Sequence, residues 1–126
     1  MKKEIIKEYI KINIEGWNED LENNFSKSLF KSIAHWNIIL LIAENSYFEK
    51  NYSFESLCRL VKSSVASRAT IQRIINELID LQIIEKRIKN NDQRVKCFYL
   101  TKSGNQLFDS YVENEIATFK SIRDIL

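Results

Sequence analysis

Between Ser67 and Leu100 the hydrophobic period of this chain switches, within a few residues, from that of a helix to that of a strand. Ile71, Ile74, Ile75, Leu78 and Ile79 fall at i, i+3, i+4, i+7 and i+8, one face of an amphipathic helix, with Ser67 placed to cap its start. Past Leu81-Gln82 the pattern alternates: Ile84, Lys86 and Ile88 against Glu85, Arg87 and Lys89. Asn90 to Gln93 form a turn cluster, and Val95 to Leu100 make a second β-prone run. Upstream, Ser53 caps a short helix through Val61 with Leu57, Leu60 and Val61 turned inward, and Lys62 to Ala66 form a serine-rich break. Short helix, break, amphipathic helix and basic hairpin are the layout of a winged helix-turn-helix.

The remaining segments read as helices around that unit. Ile5, Ile6, Tyr9, Ile10 and Ile12 mark an amphipathic helix that Gly16 would stop. A single helix is expected from Leu29 to Ala43, apolar around nearly its whole circumference and so central, followed by a loop from Asn45 to Asn51. Thr101 caps a last helix whose apolar set is Leu107, Phe108, Tyr111, Val112, Ile116, Phe119 and Ile122. The expected fold is therefore mainly α with a small β-hairpin wing, in one domain over residues 1–126. Two glycines and no proline leave little room for a turn-rich sandwich or a glycine-rich phosphate loop. The longest apolar run, Ile38 to Ala43, is far short of the roughly 20 residues of a membrane helix, so no membrane partner is expected. Cys58 and Cys97, without a secretion signal, read as reduced thiols of a cytoplasmic protein.

Net charge is only +2, but its placement is uneven. Arg59 to Lys102 carries ten bases and four acids, while the remainder is acidic on balance. A cationic helix-turn-helix is the footprint of phosphate binding. Ser67, Arg68, Thr70, Gln72, Arg73 and Asn76 are the candidate DNA contacts on the second helix, with Lys62 in the break before it. Arg68 suits guanine and Gln72 suits adenine, each bidentately. On the wing the candidates are Arg87, Lys89, Asn91, Asp92, Arg94 and Lys96, with Arg94 at the minor groove and Asp92 orienting it. The plainer alternatives are a solvated helix face and an Asp92–Arg94 ion pair at the hairpin tip. His35, on an apolar helix beside Trp36, reads as a packed or hydrogen-bonded residue. One histidine and two distant cysteines supply no metal set, no cofactor site is visible, and no nucleophile, base and orienter group suggests an enzyme.

Ser67 to Lys86, running Ser-Arg-Ala-Thr-Ile-Gln-Arg-Ile-Ile-Asn-Glu-Leu-Ile-Asp-Leu-Gln-Ile-Ile-Glu-Lys, resembles the recognition helix and first wing strand of MarR-type regulators. Asp92-Gln93-Arg94 matches that family's wing, and Leu100-Thr101-Lys102-Ser103-Gly104 matches its Leu-Thr-x-x-Gly entry to the last helix. The resemblance spans roughly residues 33–112. It implies a two-fold dimer with interleaved first and last helices (1–24 and 104–126) around a DNA-binding unit (30–103), and repression as the sign of regulation. Two features depart from the pattern: the break between Val61 and Ser67 is longer, and Gln82 stands where such members have glycine.

Independently of the resemblance, Ile5, Ile6, Tyr9, Ile10, Tyr111, Ile116, Phe119, Ile122 and Ile125 are apolar surface that a small monomer cannot cover, which points to a homodimer. The expected function is sequence-specific binding of double-stranded DNA by a transcriptional regulator. The alternative is a winged helix used for protein interaction or as a nonspecific architectural DNA binder. Trp17, Phe25, Phe30, Trp36, Tyr47, Phe48, Tyr52 and Phe54 could line an effector pocket, but packing explains them equally, so a small-molecule effector has no support in the sequence.

Overall fold

The apolar stripe of the second helix of the motif organises the fold. The computed structural model describes residues 2–20, 24–89 and 92–125, with side chains over 2–15, 25–88 and 95–125. The elements run α1 (Lys2–Asp20), α2 (Asn24–Leu29), α3 (Ile33–Phe48), α4 (Phe54–Leu60), α5 (Arg68–Asp80), β1 (Ile84–Lys89), β2 (Asp92–Leu100) and α6 (Lys102–Ile125). Ile71, Ile74, Ile75 and Leu78 of α5 are buried with Ile38, Ile39 and Ile42 of α3, Leu57 of α4, and Ile84, Phe98 and Leu100 of the hairpin. Full burial of each such side chain contributes about 1.5–3 kcal/mol, so this one cluster fixes α5 against both the centre and the wing. α3 packs against α2, α5 and β2, and α1 packs against α6.

Three helix boundaries differ from the sequence expectation. α1 runs through Gly16 to Asp20, because one interior glycine costs only about 1 kcal/mol and α1 is held along α6. The helix expected from Leu29 to Ala43 is two helices, broken between Leu29 and Ile33. Ser32 is the N-cap of α3, and its Oγ accepts from the His35 amide at 3.1 Å. Apolar spacing conceals that break, since Leu29, Phe30 and Ile33 keep helical intervals across it. The loop expected from Asn45 to Asn51 starts late, because α3 continues to Phe48 and ends on Glu49 in the left-handed region, φ 49°. Asn45 and Ser46 are thus helical, and both work as pins. The buried Asn45 amide donates to Phe98 O at 2.7 Å, and its oxygen accepts from the Asn51 amide at 2.5 Å. Ser46 Oγ accepts from the Leu100 amide at 2.7 Å.

Ser53 and Ser67 cap α4 and α5 as expected, accepting from Ser56 N and Thr70 N. Leu57 and Val61 are buried, whereas Leu60, expected to turn inward, is exposed. α3 is central but not covered all round: Ile33, Trp36, Leu40, Tyr47 and Phe48 face outward. The serine-rich break is a turn closed by Val65 N–H to Lys62 O at 2.8 Å, and it carries buried Ala66 into the core.

β1 and β2 are antiparallel, with Ile84 opposite Leu100 and Ile88 opposite Lys96. A register shift follows Ile88, so that Lys89 pairs with Asp92, and Asp92 and Gln93 of the expected turn belong to β2. Tyr52 and Ser53 add a short third edge: Ser53 bridges Cys97, and Phe98 N–H donates to Tyr52 O at 3.1 Å.

The end of α5 explains the missing glycine. Ile83 N–H donates to Leu78 O at 3.0 Å and Gln82 N–H to Ile79 O at 2.9 Å, the two bonds of a Schellman cap. That cap needs a left-handed residue, and Gln82 supplies it at φ 60°. A glutamine there carries the Cβ penalty that glycine avoids. One residue on, the Ile83 carbonyl accepts from Thr101 N–H at 3.0 Å, and the Thr101 hydroxyl donates to Gln82 O at 2.6 Å. Thr101 Oγ1 in turn accepts from the Gly104 amide at 2.9 Å. A Cβ on Gly104 would lie 2.2 Å from Ile83 O, so the Leu-Thr-x-x-Gly motif is a cap plus a backbone contact that admits no side chain.

Two substitutions at this junction should move stability in opposite directions. Gln82→Gly is expected to raise it by about 0.5–1 kcal/mol. Gly104→Ala is expected to lower it by about 1–3 kcal/mol, because backbone must move. Urea denaturation of both variants checks the pair, and equal signs would contradict this account.

Candidate nucleic-acid interface

With Ile71, Ile74, Ile75 and Leu78 turned into the core, the helical period presents Arg68, Gln72, Arg73 and Asn76 on the outer face of α5, all exposed. Ser67 sits at the cap, and its hydroxyl donates to Thr70 Oγ1 at 3.1 Å, so both hydroxyls are committed to the first turn. The Gln72 side-chain amide donates to Asn76 Oδ1 at 2.9 Å, which aligns two amide side chains along one ridge. Arg73 projects beside them.

Arg68 is differently placed from the free guanine reader that the sequence suggests. Its Nη1 and Nη2 donate to Glu55 Oε2 and Oε1 at 2.9 and 2.7 Å, and its Cζ lies 5.1 Å from the centre of the Phe54 ring. The bidentate pair raises the guanidinium's affinity for its proton and holds the Glu55 carboxyl below the usual carboxylate range. α4, the first helix of the motif, thereby grips the first residue of the second. Sequence reasoning missed Glu55, whose one available signal was an acid in the first turn of α4.

On the hairpin, Arg87 is paired with Glu85 and lies over the Tyr99 ring at 4.7 Å, and Lys86 lies 5.7 Å from the centre of Phe98. Arg59, Lys62, Arg73, Lys86 and Lys96 are exposed, and among the described residues none of them is in an ion pair. Lys102, at the start of α6, is likewise exposed and outside those pairs. Asn91 lies outside the described residues, and so do the side chains of Lys89, Asp92 and Arg94.

The inner side of α5 is anchored by a polar relay that the sequence does not announce. His35 is 3% exposed; its Nδ1 is 2.7 Å from Ser32 Oγ and its Nε2 is 3.2 Å from Glu77 Oε2. A carboxylate only accepts, so Nε2 carries a proton toward Glu77, while Nδ1 shares a hydrogen bond with the serine hydroxyl. Lys31 donates to the other Glu77 oxygen at 2.7 Å. The hydrogen-bonded reading of His35 holds, and its partner is α5 itself. Cys97 is buried, and burial raises the pKa of the Cys58 thiol, which makes that thiol a poor nucleophile.

Of the aromatic residues named as pocket candidates, Phe25 is a core residue and Phe30 and Trp36 pack together and against Tyr111. Open apolar grooves lie beside them: one of about 500 Å³ is lined by Leu29, Phe30, Ser32, Ile33 and Trp36, and one of about 460 Å³ lies between α3 and α6 at Tyr47, Phe48 and Phe108. The side chain of Trp17 is outside the described residues.

No family model and no curated protein sequence matches the chain. Its fold does match solved structures. NadR, crystallised with 4-hydroxyphenylacetate, aligns with a TM-score of 0.54 and 23% identity over 92% of this chain and 79% of its own. A MarR/EmrR family transcriptional regulator from Acinetobacter sp. ADP1 aligns with a TM-score of 0.54 and 17% identity, over 91% of this chain and 78% of its own. The chain thus has the mainly helical, hairpin-winged fold of the MarR-type structures.

Glu77 gives this interface a pH signature. Lys31 holds its carboxyl below the ordinary range, against the opposing effect of burial, and His35 assists. A depressed folded pKa contributes stability that is fully present above the unfolded value and lost as pH falls through the folded one. Glu77→Gln should therefore be less stable than wild type at pH 7, with the gap closing below about pH 4. Urea midpoints of both proteins between pH 7 and 3 test it, and a constant gap would contradict it.

Proposed function

We propose that the chain is a homodimeric regulator of transcription that binds double-stranded DNA sequence-specifically, with α5 in the major groove and the β1–β2 wing at the minor groove. The observation that carries this reading is the division of α5 into a wholly buried isoleucine-leucine face and an exposed face of Arg68, Gln72, Arg73 and Asn76, in a fold shared with a transcriptional regulator. Gln72 and Asn76 suit adenine edges, and Thr70 and Ser67 border the phosphates. Lys62, Arg73, Lys96 and Lys89 serve backbone phosphates, and Arg87 meets them from its pair with Glu85. Arg94 enters the minor groove, with Asn91 and Asp92 preceding it in the wing and Asp92 orienting it.

Dimerisation rests on the outer helices, residues 1–24 and 104–126, around the DNA-binding unit at 30–103. Ile6, Tyr9, Ile10 and Ile14 of α1 and Ile116 and Phe119 of α6 are exposed although α1 and α6 already pack on each other, and Phe119 is 67% accessible. A second copy is the simplest cover for such a surface. Two recognition helices would then meet successive major grooves about 34–36 Å apart on a pseudo-palindrome. Repression follows from occupying promoter DNA, and the setting is the cytoplasm; no described helix is long and apolar enough to cross a membrane. An effector of the 4-hydroxyphenylacetate kind belongs to NadR and forms no part of this reading.

Selection of bound duplexes from a random pool should enrich a symmetric motif, with affinity falling steeply as salt rises. Arg94→Ala should weaken binding to that motif and reduce the salt slope by about 1, without changing the melting temperature. Recovery of no motif, or unchanged binding by Arg94→Ala, would count against the regulator and the wing assignment respectively.

A further inference from the structure

We infer that Glu55 is a specificity-determining residue that positions Arg68 to read guanine, rather than a surface counter-ion; this rests on the DNA-binding reading above. Arg68 opens α5, directly after the Ser67 cap, at the end of a recognition helix that first meets base edges. Its side chain is 60% exposed and that of Glu55 is 70% exposed, so burial does not require the pair. A long, exposed arginine ordinarily samples many rotamers, and a mobile guanidinium in a groove serves any phosphate or base acceptor.

Here three contacts remove that freedom: Glu55 Oε2 on Nη1, Glu55 Oε1 on Nη2, and the Phe54 ring 5.1 Å from Cζ. The carboxylate takes one hydrogen from each Nη, which leaves Nε–H and one further hydrogen on each Nη. Nε–H and its neighbouring Nη–H are parallel, so one edge of the plane remains a two-donor fork. That fork matches the paired O6 and N7 acceptors of guanine and is refused by adenine, whose N6 is itself a donor. The charge of Glu55 also cancels that of Arg68 toward phosphates. The pair therefore gives up nonspecific attraction and keeps a directional donor pair, a division that favours discrimination over affinity.

The test uses the full-length protein and duplexes selected with it from a random pool. Binding of wild type, Glu55→Gln and Arg68→Ala is measured to the selected duplex, to its single-base variants and to random-sequence DNA. Wild type should lose about tenfold at one guanine per half-site, and Arg68→Ala should lose that preference. Glu55→Gln should discriminate there only about two- to threefold, hold random DNA several-fold more tightly and keep its preferences elsewhere. Full discrimination by Glu55→Gln, or a uniform loss at every position, would overturn the positioning role. A preference at that guanine retained by Arg68→Ala would overturn the reader assignment. Enrichment of no motif by wild type would instead bring down the regulator reading on which both depend.

Discussion

The Ile83 carbonyl is the point on which this architecture turns. It accepts from the Thr101 amide, it lies 2.2 Å from where a Cβ on Gly104 would be, and it follows the left-handed Gln82 that ends α5. Three elements meet there through backbone atoms: the C-terminus of α5, the base of the wing and the first turn of α6. Backbone contacts of this kind have no rotamers to relax, so the angle between α5 and α6 is set to within the tolerance of a hydrogen bond. The apolar cluster of α3, α5 and the hairpin supplies most of the stabilisation, but it would accept small shifts by repacking. The junction would not.

A second constraint works from the opposite end of α3. Asn45 and Ser46 reach from its last turns to Phe98 O and Leu100 N, and Tyr52 and Ser53 lie against β2 as a short third edge. The two-stranded hairpin, which alone would be marginal in water, gains fixed partners on its inner strand. Its basic outer strand segments are thus carried on a base as firmly held as α5. Ser32, His35 and Glu77 do the same for α5, joining its inner side to the start of α3. Polar side chains from one central helix hold both halves of the interface.

Much of this was legible in the sequence, for identifiable reasons. The α5 stripe, the alternation of β1 and the serine caps at Ser53 and Ser67 are local signals, and local physics decides them. What was not legible depended on partners distant in sequence. Ser32 is a good N-cap, but it lies inside an apolar run whose spacing survives the break. Asn45 is a turn former by composition and a buried pin in the fold, because its amide finds Phe98 O, 53 residues on. Gln82 was visible as a departure from glycine, yet only φ 60° shows that the cap was kept and the residue changed. Glu55 and Glu77 carry no sequence signal of their partners, since nothing in a linear chain says that Arg68 or His35 will face them.

The charge pattern shows the same limit most plainly. Counting ten bases against four acids between Arg59 and Lys102 treats every cation as available. In three dimensions Arg68 answers to Glu55, an acid outside that segment, and Arg87 answers to Glu85 within it. Among the described residues, Arg59, Lys62, Arg73, Lys86, Lys96 and Lys102 of that segment are exposed and outside ion pairs, on α4, the turn, α5, the wing and the start of α6. Unpaired lysines and arginines attract phosphate from any direction, whereas a guanidinium held by carboxylate and ring has lost orientation to choose. A recognition surface needs both kinds, because attraction without direction binds all DNA alike, and direction without attraction seldom finds its site. On the proposed reading, the pairing of Arg68 with Glu55 of α4 is how a chain with little net charge separates those tasks.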